Sequence, residues 1–180
     1  MKILAIDQSS NISGWSYFHE KELIKYDLLD VSKCGKTINR ISMIIKWIDW
    51  FIKNHEVDLI IFEDVGFQNE SKYKQTQEYQ ENHEDRDNVA TFQTLSKLLG
   101  VLEYHCTINN IQYQIKKPSA WRSSCGIKGT KRHEVKKNAL DFVKKKWNLD
   151  IEEDIAEAIC IGWSEVGAKN FKHTWGTFSK

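Results

Sequence analysis

Several common features are missing from this sequence, and each absence excludes a class of protein to which it could belong. There is no apolar run of about eighteen residues, so we predict no membrane-spanning helix. A charged and then apolar leader is also missing, so we expect no signal peptide and a cytoplasmic protein. The four cysteines form no CxxC pair, which argues against a zinc site and against a disulfide framework. With no internal repeat and no linker, residues 1–180 predict a single domain.

Net charge is almost absent, at +1, but the charged residues are distributed unevenly. The segment 116–146 holds eleven basic residues against Glu134 and Asp141. The segment 63–87 holds eight acidic residues against three basic ones. An isolated charge run is usually a solvated helix face, whereas a basic segment of this density beside an acidic site can neutralise several phosphates. The charge pattern therefore favours a phosphate-binding role for 116–146.

Four acidic residues stand where a chain normally buries apolar ones. Asp7 ends the apolar run KILAID, and Glu63 ends the denser run LIIFE, so each acid follows a predicted buried strand. Asp154 and Glu157 are three residues apart in a predicted final helix, which places both on one face. Each acid alone is more often an ordinary strand-end or first-turn residue. Together they predict a cluster that is neutralised by a divalent cation.

The ligand chemistry of these acids indicates a reaction. Oxygen-only ligands select Mg²⁺ or Mn²⁺. Two ions held about 4 Å apart by a shared carboxylate activate water on one side and stabilise the leaving oxygen on the other. We therefore predict phosphodiester hydrolysis with two ions, Asp7 bridging them. Asp7, Glu63, Asp154 and Glu157 are the predicted catalytic residues and metal ligands.

The order of predicted elements indicates an α/β fold. Three strands in a meander are followed by a helix, a strand, a second helix, a short strand and further helices, which predicts a five-stranded mixed sheet with helices on both faces. The polar segment 65–86 is too long for an ordinary connection and indicates a functional or mobile loop. The predicted strands are 2–7, 14–18, 22–29, 57–62 and 111–115.

The helix predicted over residues 89–106 has two apolar flanks. One stripe runs from Val89 to Cys106, while Leu98 and Val101 add a second flank. Two flanks suggest a partner surface as well as a core.

Three motifs in order resemble those of the RuvC-type Holliday junction resolvases, in the ribonuclease H-like superfamily, and especially their shorter phage forms. AIDQSSNISGW is similar to the opening strand with its acid and following glycine, IIFEDVGFQ to the second acidic strand, and DIAEAICIG to the closing acidic helix. The sequence departs from the family at Gln8, where proline is usual, at Glu157, where cellular members have aspartate, and at Gly66, where an aromatic residue often stands.

The resemblance implies an activity and an assembly. It implies a RuvC-like nuclease domain that binds branched DNA as a homodimer and cuts four-way junctions with Mg²⁺, in the cytoplasm of the host cell if a phage encodes it. The double apolar flank makes helix 89–106 the predicted pairing surface of that homodimer. Phe67 is the nearest substitute for the family's aromatic residue at the junction centre. The predicted DNA-binding residues are Phe67, Lys116, Lys117, Lys128, Lys131, Arg132, Lys136 and Lys137.

Three other activities are compatible with parts of the pattern. The acids do not encode a substrate, so the same fold also suits a nuclease for RNA:DNA hybrids, flaps or forks. An actin-like phosphotransferase also opens with a strand and an aspartate, but it needs a second glycine-rich phosphate loop, which IIFEDVGFQNE does not provide. A catalytically silent junction-binding module requires the loss of an acid, and all four positions are filled.

Overall fold

The computed structural model describes residues 1–66, 83–129 and 131–167, with the backbone alone for 83–88. Strands and helices follow each other in the order that the apolar patterns predict. The strands are β1 (Lys2–Asp7), β2 (Ile12–His19), β3 (Glu22–Asp30), β4 (Leu59–Glu63) and β5 (Tyr113–Lys116). The helices are α1 (Thr37–Asn54), α2 (His83–Ile108), α3 (Pro118–Ser124), α4 (Arg132–Trp147) and α5 (Glu153–Val166).

The strands form one five-stranded mixed sheet in the order β3-β2-β1-β4-β5. β1, β2 and β3 pair antiparallel as a meander, because short turns connect them. β4 and β5 are added in parallel beyond β1, each after a helical crossover. The predicted five-stranded mixed sheet is therefore confirmed, and β1 lies at its centre.

The sheet separates two apolar cores. Successive side chains of a strand point to opposite faces, and in β1 Ile3 and Ala5 enter one core while Leu4 and Ile6 enter the other. The first core lies under α3, α4 and α5 and includes the buried Trp121. The second lies under α1 and α2. Helices thus cover both faces, as predicted.

The start of α2 and the burial of its flanks differ from the prediction. The helix begins at His83, inside the segment predicted to be a loop. Leu98 is fully buried in the core, so its assignment to a partner surface is wrong. Val101, by contrast, is 37% exposed. Helical periodicity located the apolar stripe, but it could not show which edge of a wide stripe the sheet would cover.

Helix α5 lies unusually close to β2. A Cβ atom built at Gly162 would lie 2.6 Å from Cε2 of Phe18, and the Ser16 hydroxyl donates a hydrogen bond of 2.8 Å to the carbonyl of Ala158. A side chain at position 162 would push the helix away from the sheet. The small residue therefore sets the depth at which α5 sits.

Within the described ranges, no helix is long and apolar enough to span a bilayer.

Candidate active site

Two of the predicted acids end neighbouring strands. β1 and β4 pair in parallel, and Asp7 and Glu63 are their last residues at the same edge of the sheet. Ala5 and Ile61, two residues earlier in each strand, lie in the core beneath α5. Because side chains alternate along a strand, Asp7 and Glu63 face the same side.

The other two acids lie in the first turns of α5, on that same side of the sheet. Asp154 and Glu157 share one face of the helix, as their spacing predicts. One carboxylate oxygen from each, together with one from Asp7, lie within 4.8 Å of one another. The sheet and the helix thus bring three of the four predicted acids into one group, with Glu63 beside it.

A glycine allows this approach of helix and strand. Gly14 pairs with Asp7 across β1 and β2. A Cβ atom at Gly14 would lie only 1.9 Å from the carbonyl oxygen of Asp154, so only glycine fits there without displacement. The glycine of the first motif therefore places Asp154 opposite Asp7.

Two neighbouring side chains hold Glu63 in place. The indole N–H of Trp121 donates a hydrogen bond of 2.7 Å to Oε1 of Glu63. The amide of the buried Gln8 donates to the backbone carbonyl of Glu63 at 2.5 Å and accepts from its backbone N–H at 3.0 Å. Both the carboxylate and the backbone of Glu63 are thereby fixed.

Burial makes these acids hard to ionise together. Desolvation raises the pKa of Asp7 well above its usual range, and the carboxylates of Glu63, Glu157 and Asp154 raise it further. Desolvation also raises the pKa of Glu157 to about 7. The pKa of Glu63 is raised by burial as well, although the hydrogen bond from Trp121 opposes the shift. A nearby cation would stabilise all of these carboxylates.

One such cation is part of the chain. The ammonium of Lys136, on α4, lies 3.0 Å from Oδ1 of Asp154, 3.0 Å from Oε2 of Glu153 and 4.0 Å from Oε2 of Glu157. Burial alone would lower the pKa of Lys136, but its hydrogen bonds to Glu153 and Asp154 outweigh burial, and the pKa is raised. Lys136 is therefore a charged partner of the acidic group.

The donor set also fits a divalent ion. Asp7, Asp154 and Glu157 offer oxygen atoms alone, which suits Mg²⁺ or Mn²⁺. An ion of this kind holds its oxygen ligands about 3 to 4 Å apart, so the observed group needs to contract only slightly to bind one. Glu63 is available for a second ion on the neighbouring strand.

Arg122, on α3, completes the surroundings. Its guanidinium lies 5.2 Å from the centre of the Trp121 ring, and its charge lowers the pKa of both Glu63 and Glu157. Its Nε atom is buried without a hydrogen-bond partner among the described residues. A buried N–H without an acceptor is an unsatisfied polar group, which is uncommon in folded proteins.

The structure describes seven of the eight predicted DNA-binding residues and separates those seven into three groups. Lys116 is buried, and its ammonium contacts Glu165 at 2.6 Å and the Ser164 hydroxyl at 3.0 Å, away from solvent. Lys136 lies against the acids, and Phe67 lies outside the described residues. The remaining predicted residues are exposed on α4 or on the segments that precede α3 and α4: Lys117, Lys128, Lys131, Arg132 and Lys137.

The sequence analysis did not predict that Gln8, Trp121 and Arg122 lie around the acids. It predicted Lys136 only as a DNA-binding residue and not as a partner of Asp154. Gln8 stood out as a departure from the family, but its contact with Glu63 spans 55 positions of the chain. Trp121 had the pattern of a core residue, and it is indeed fully buried. Its indole N–H was the available signal, because a buried indole N–H needs an acceptor.

No protein-family model and no curated protein matches the sequence. The structure is similar to Thermus thermophilus RuvC, with a TM-score of 0.64 and 11% identity over 91% of this chain and 92% of that one. The structure described as T. thermophilus RuvC in complex with Holliday junction substrate gives a TM-score of 0.60 and 12% identity over the same shares.

A viral protein shows the same architecture. Fowlpox virus resolvase, solved with substrate Holliday junction DNA, matches with a TM-score of 0.58 and 16% identity over 93% of this chain and 97% of that one. The chain thus has the ribonuclease H-like fold. More narrowly, its arrangement of strands and helices is the one seen in RuvC and in the poxviral resolvase, which confirms the fold predicted from the motifs.

Proposed function

We propose that this protein is a structure-selective endonuclease that resolves four-way DNA junctions by hydrolysing phosphodiester bonds. The observation that carries the proposal is the convergence of Asp7, Asp154 and Glu157 within 4.8 Å, at the end of the central strand. The similarity of the fold to two resolvases solved with junction DNA supports it. We assign the activity to residues 1–180 as one nuclease domain.

The proposed site uses Mg²⁺, which Mn²⁺ can replace, with two ions per site. Asp7, Glu63, Asp154 and Glu157 are the proposed ligands, and their two neighbouring strands and one helix give each carboxylate a rigid attachment. When bound, the ions activate water and stabilise the leaving oxygen. The protein's own contribution is positional: Trp121 and Gln8 orient Glu63, and Gly14 sets the separation of Asp154 from Asp7.

The proposed DNA path runs along the exposed basic side chains that lead from β5 to α4. Lys117, Lys128, Lys131, Arg132 and Lys137 supply positive charge without an evident base-reading motif, so we propose recognition of junction shape and phosphate positions. Arg122 is half-buried, and its charge favours the ionised forms of Glu63 and Glu157, so it is proposed to contact the phosphate that is cut. Phe67 is retained as a proposed contact at the junction centre.

We also propose a homodimer, because symmetrical cutting of a four-way junction needs two active sites. The surface proposed for pairing is the exposed stripe of α2 formed by Val101, Tyr104 and Ile108, which are 37%, 66% and 55% exposed. Their spacing of three and four residues places them on one face of the helix. A two-fold arrangement would pair this stripe with its copy.

The deciding experiment is cleavage of synthetic four-way, three-way, flap, linear and RNA:DNA hybrid substrates, each with Mg²⁺, Ca²⁺ or a chelator. We expect paired cuts in the four-way junction with Mg²⁺ and none with the chelator. Asp7→Asn should abolish cutting and leave junction binding intact, because it removes a ligand while reducing repulsion of phosphate. Preferred cutting of the hybrid would instead favour a ribonuclease H activity, and turnover by Asp7→Asn would contradict the proposed site.

A further inference from the structure

The position of Lys136 among the acids is not needed to explain a metal site. An ammonium group beside metal-binding carboxylates competes with a bound ion for the same oxygen atoms, because two neighbouring cations repel each other. Here the Lys136 ammonium lies 3.0 Å from Oδ1 of Asp154 and 4.0 Å from Oε2 of Glu157, and both residues belong to the group of acids that fits a divalent ion. Its side chain is only 16% exposed.

We propose that Lys136 is an internal counter-cation of the acidic group: it neutralises Asp154 and Glu157 while no metal is bound, and it withdraws from Asp154 when a divalent ion binds. The inference rests on the proposed metal site and adds a competition between the ion and a side chain of the same chain. Glu153, 53% exposed and 3.0 Å from the ammonium, gives Lys136 an alternative partner at the surface once it leaves Asp154.

Charge balance supports this role. Asp7, Glu63, Asp154 and Glu157 are crowded into a partly buried space, and their mutual repulsion destabilises the folded chain unless positive charge compensates it. Among the described residues, Lys136 is the cation whose ammonium lies within 4.0 Å of carboxylate oxygens of this group. Its three ammonium protons match the three surrounding carboxylates, those of Glu153, Asp154 and Glu157.

Competition between the Lys136 ammonium and a divalent ion for the acidic group has two measurable consequences. Loss of the ammonium removes the cation nearest to Asp154 and Glu157 and leaves Arg122 as a more distant positive charge, so the metal-free protein becomes less stable. The same loss removes the competitor of the ion, so Mn²⁺ binds more tightly. Binding of an ion to the folded state adds directly to its stability. An ion that replaces the ammonium should therefore raise the stability of a Lys136 variant by more than it raises the stability of the parent.

The test compares the parent with Lys136→Met, which keeps much of the side-chain length without the charge. Free Mn²⁺ is counted by electron paramagnetic resonance, and thermal unfolding is followed in a chelator and in saturating Mn²⁺. We expect Lys136→Met to bind Mn²⁺ on the order of tenfold more tightly, with a lower Tm in the chelator and a larger rise in Tm on adding Mn²⁺. Lys136→Arg, which retains a charge, and Lys145→Met, at an exposed position of the same helix, should match the parent in Mn²⁺ affinity and in Tm.

Unchanged or weaker Mn²⁺ binding by Lys136→Met would overturn the proposal. If the variant unfolds in the chelator, recovery of the fold in Mn²⁺ supports the replacement of one cation by the other, and failure to recover contradicts it. These readouts do not use DNA, so they separate this inference from the proposed function. A protein that shows the competition but cuts no junction would contradict only the function, whereas absence of any Mn²⁺ binding in parent and variant would contradict both.

Discussion

The close contact between Gly14 and the start of α5 provides a sharp test of the site. Gly14→Ala would place a Cβ atom 1.9 Å from the carbonyl oxygen of Asp154, whereas real Cβ contacts essentially never fall below 3.0 Å. Both atoms that approach belong to rigid elements, so α5 or β2 must move by more than 1 Å. A misplacement of about 1 Å at a catalytic group can cost roughly 100-fold in rate. We therefore expect junction cleavage to fall by about two orders of magnitude.

The same overpacking should cost about 1–3 kcal/mol of stability, which lowers Tm by roughly 2–4 °C per kcal/mol in a domain of this size. Single-turnover cleavage well below Tm separates the displaced site from unfolding, and Mn²⁺ affinity measures the acids directly. Gly66→Ala is the matched control, since among the described residues a Cβ atom there meets nothing within 4 Å. Parent-like cleavage and Mn²⁺ affinity in Gly14→Ala would refute the claim that this glycine sets the separation of Asp154 from Asp7.

Three further predictions concern the orientation, ionisation and assembly of the site. Trp121→Phe removes the indole N–H that donates a hydrogen bond to Glu63, so the pKa of Glu63 should rise and single-turnover cleavage should fall by about tenfold or more. An unchanged pH profile of cleavage would exclude an orienting role for Trp121. In a chelator, stability should decrease as pH rises from about 4.5 to about 7, because Glu157 binds its proton more tightly in the folded state than in the unfolded one. Thermal melts across this range should show a shallower decrease in Glu157→Gln, and identical slopes would contradict the assignment. Val101→Glu should convert a dimer to monomers by light scattering, and a dimeric mass in this variant would remove α2 from the interface.

The acids could be predicted from the sequence because each is placed by a local pattern. An apolar run that ends in a carboxylate predicts a buried strand with an acid at its edge, and this holds for both Asp7 and Glu63. The spacing of Asp154 and Glu157 predicts a shared helix face. The order of strands then brings the two strand ends together, since crossover connections leave few alternatives.

The supporting contacts could not be predicted, because they join side chains that local patterns treat as unrelated. Trp121 and Glu63 are 58 positions apart, and a buried indole N–H indicates that some acceptor is needed but does not identify Glu63 as that acceptor. Lys136 belongs to a run of basic residues whose net charge is evident, but its turn toward α5 depends on how α4 packs. Leu98 was misassigned for the same reason, since burial of one flank depends on the sheet beneath it.

The central sheet also separates the acidic group from the proposed pairing surface on α2. The acids project toward the core under α5, whereas α2, which carries the proposed pairing surface, packs on the opposite core. Substitutions on opposite sides of the sheet have few contacts in common, so their effects on stability and activity should be nearly additive. If the proposed dimer forms, its pairing surface can therefore be redesigned, for example to build an obligate heterodimer with one inactive site, without changing a proposed metal ligand. In a chain divided in this way, the proposed pairing surface can change while the acidic group keeps its geometry.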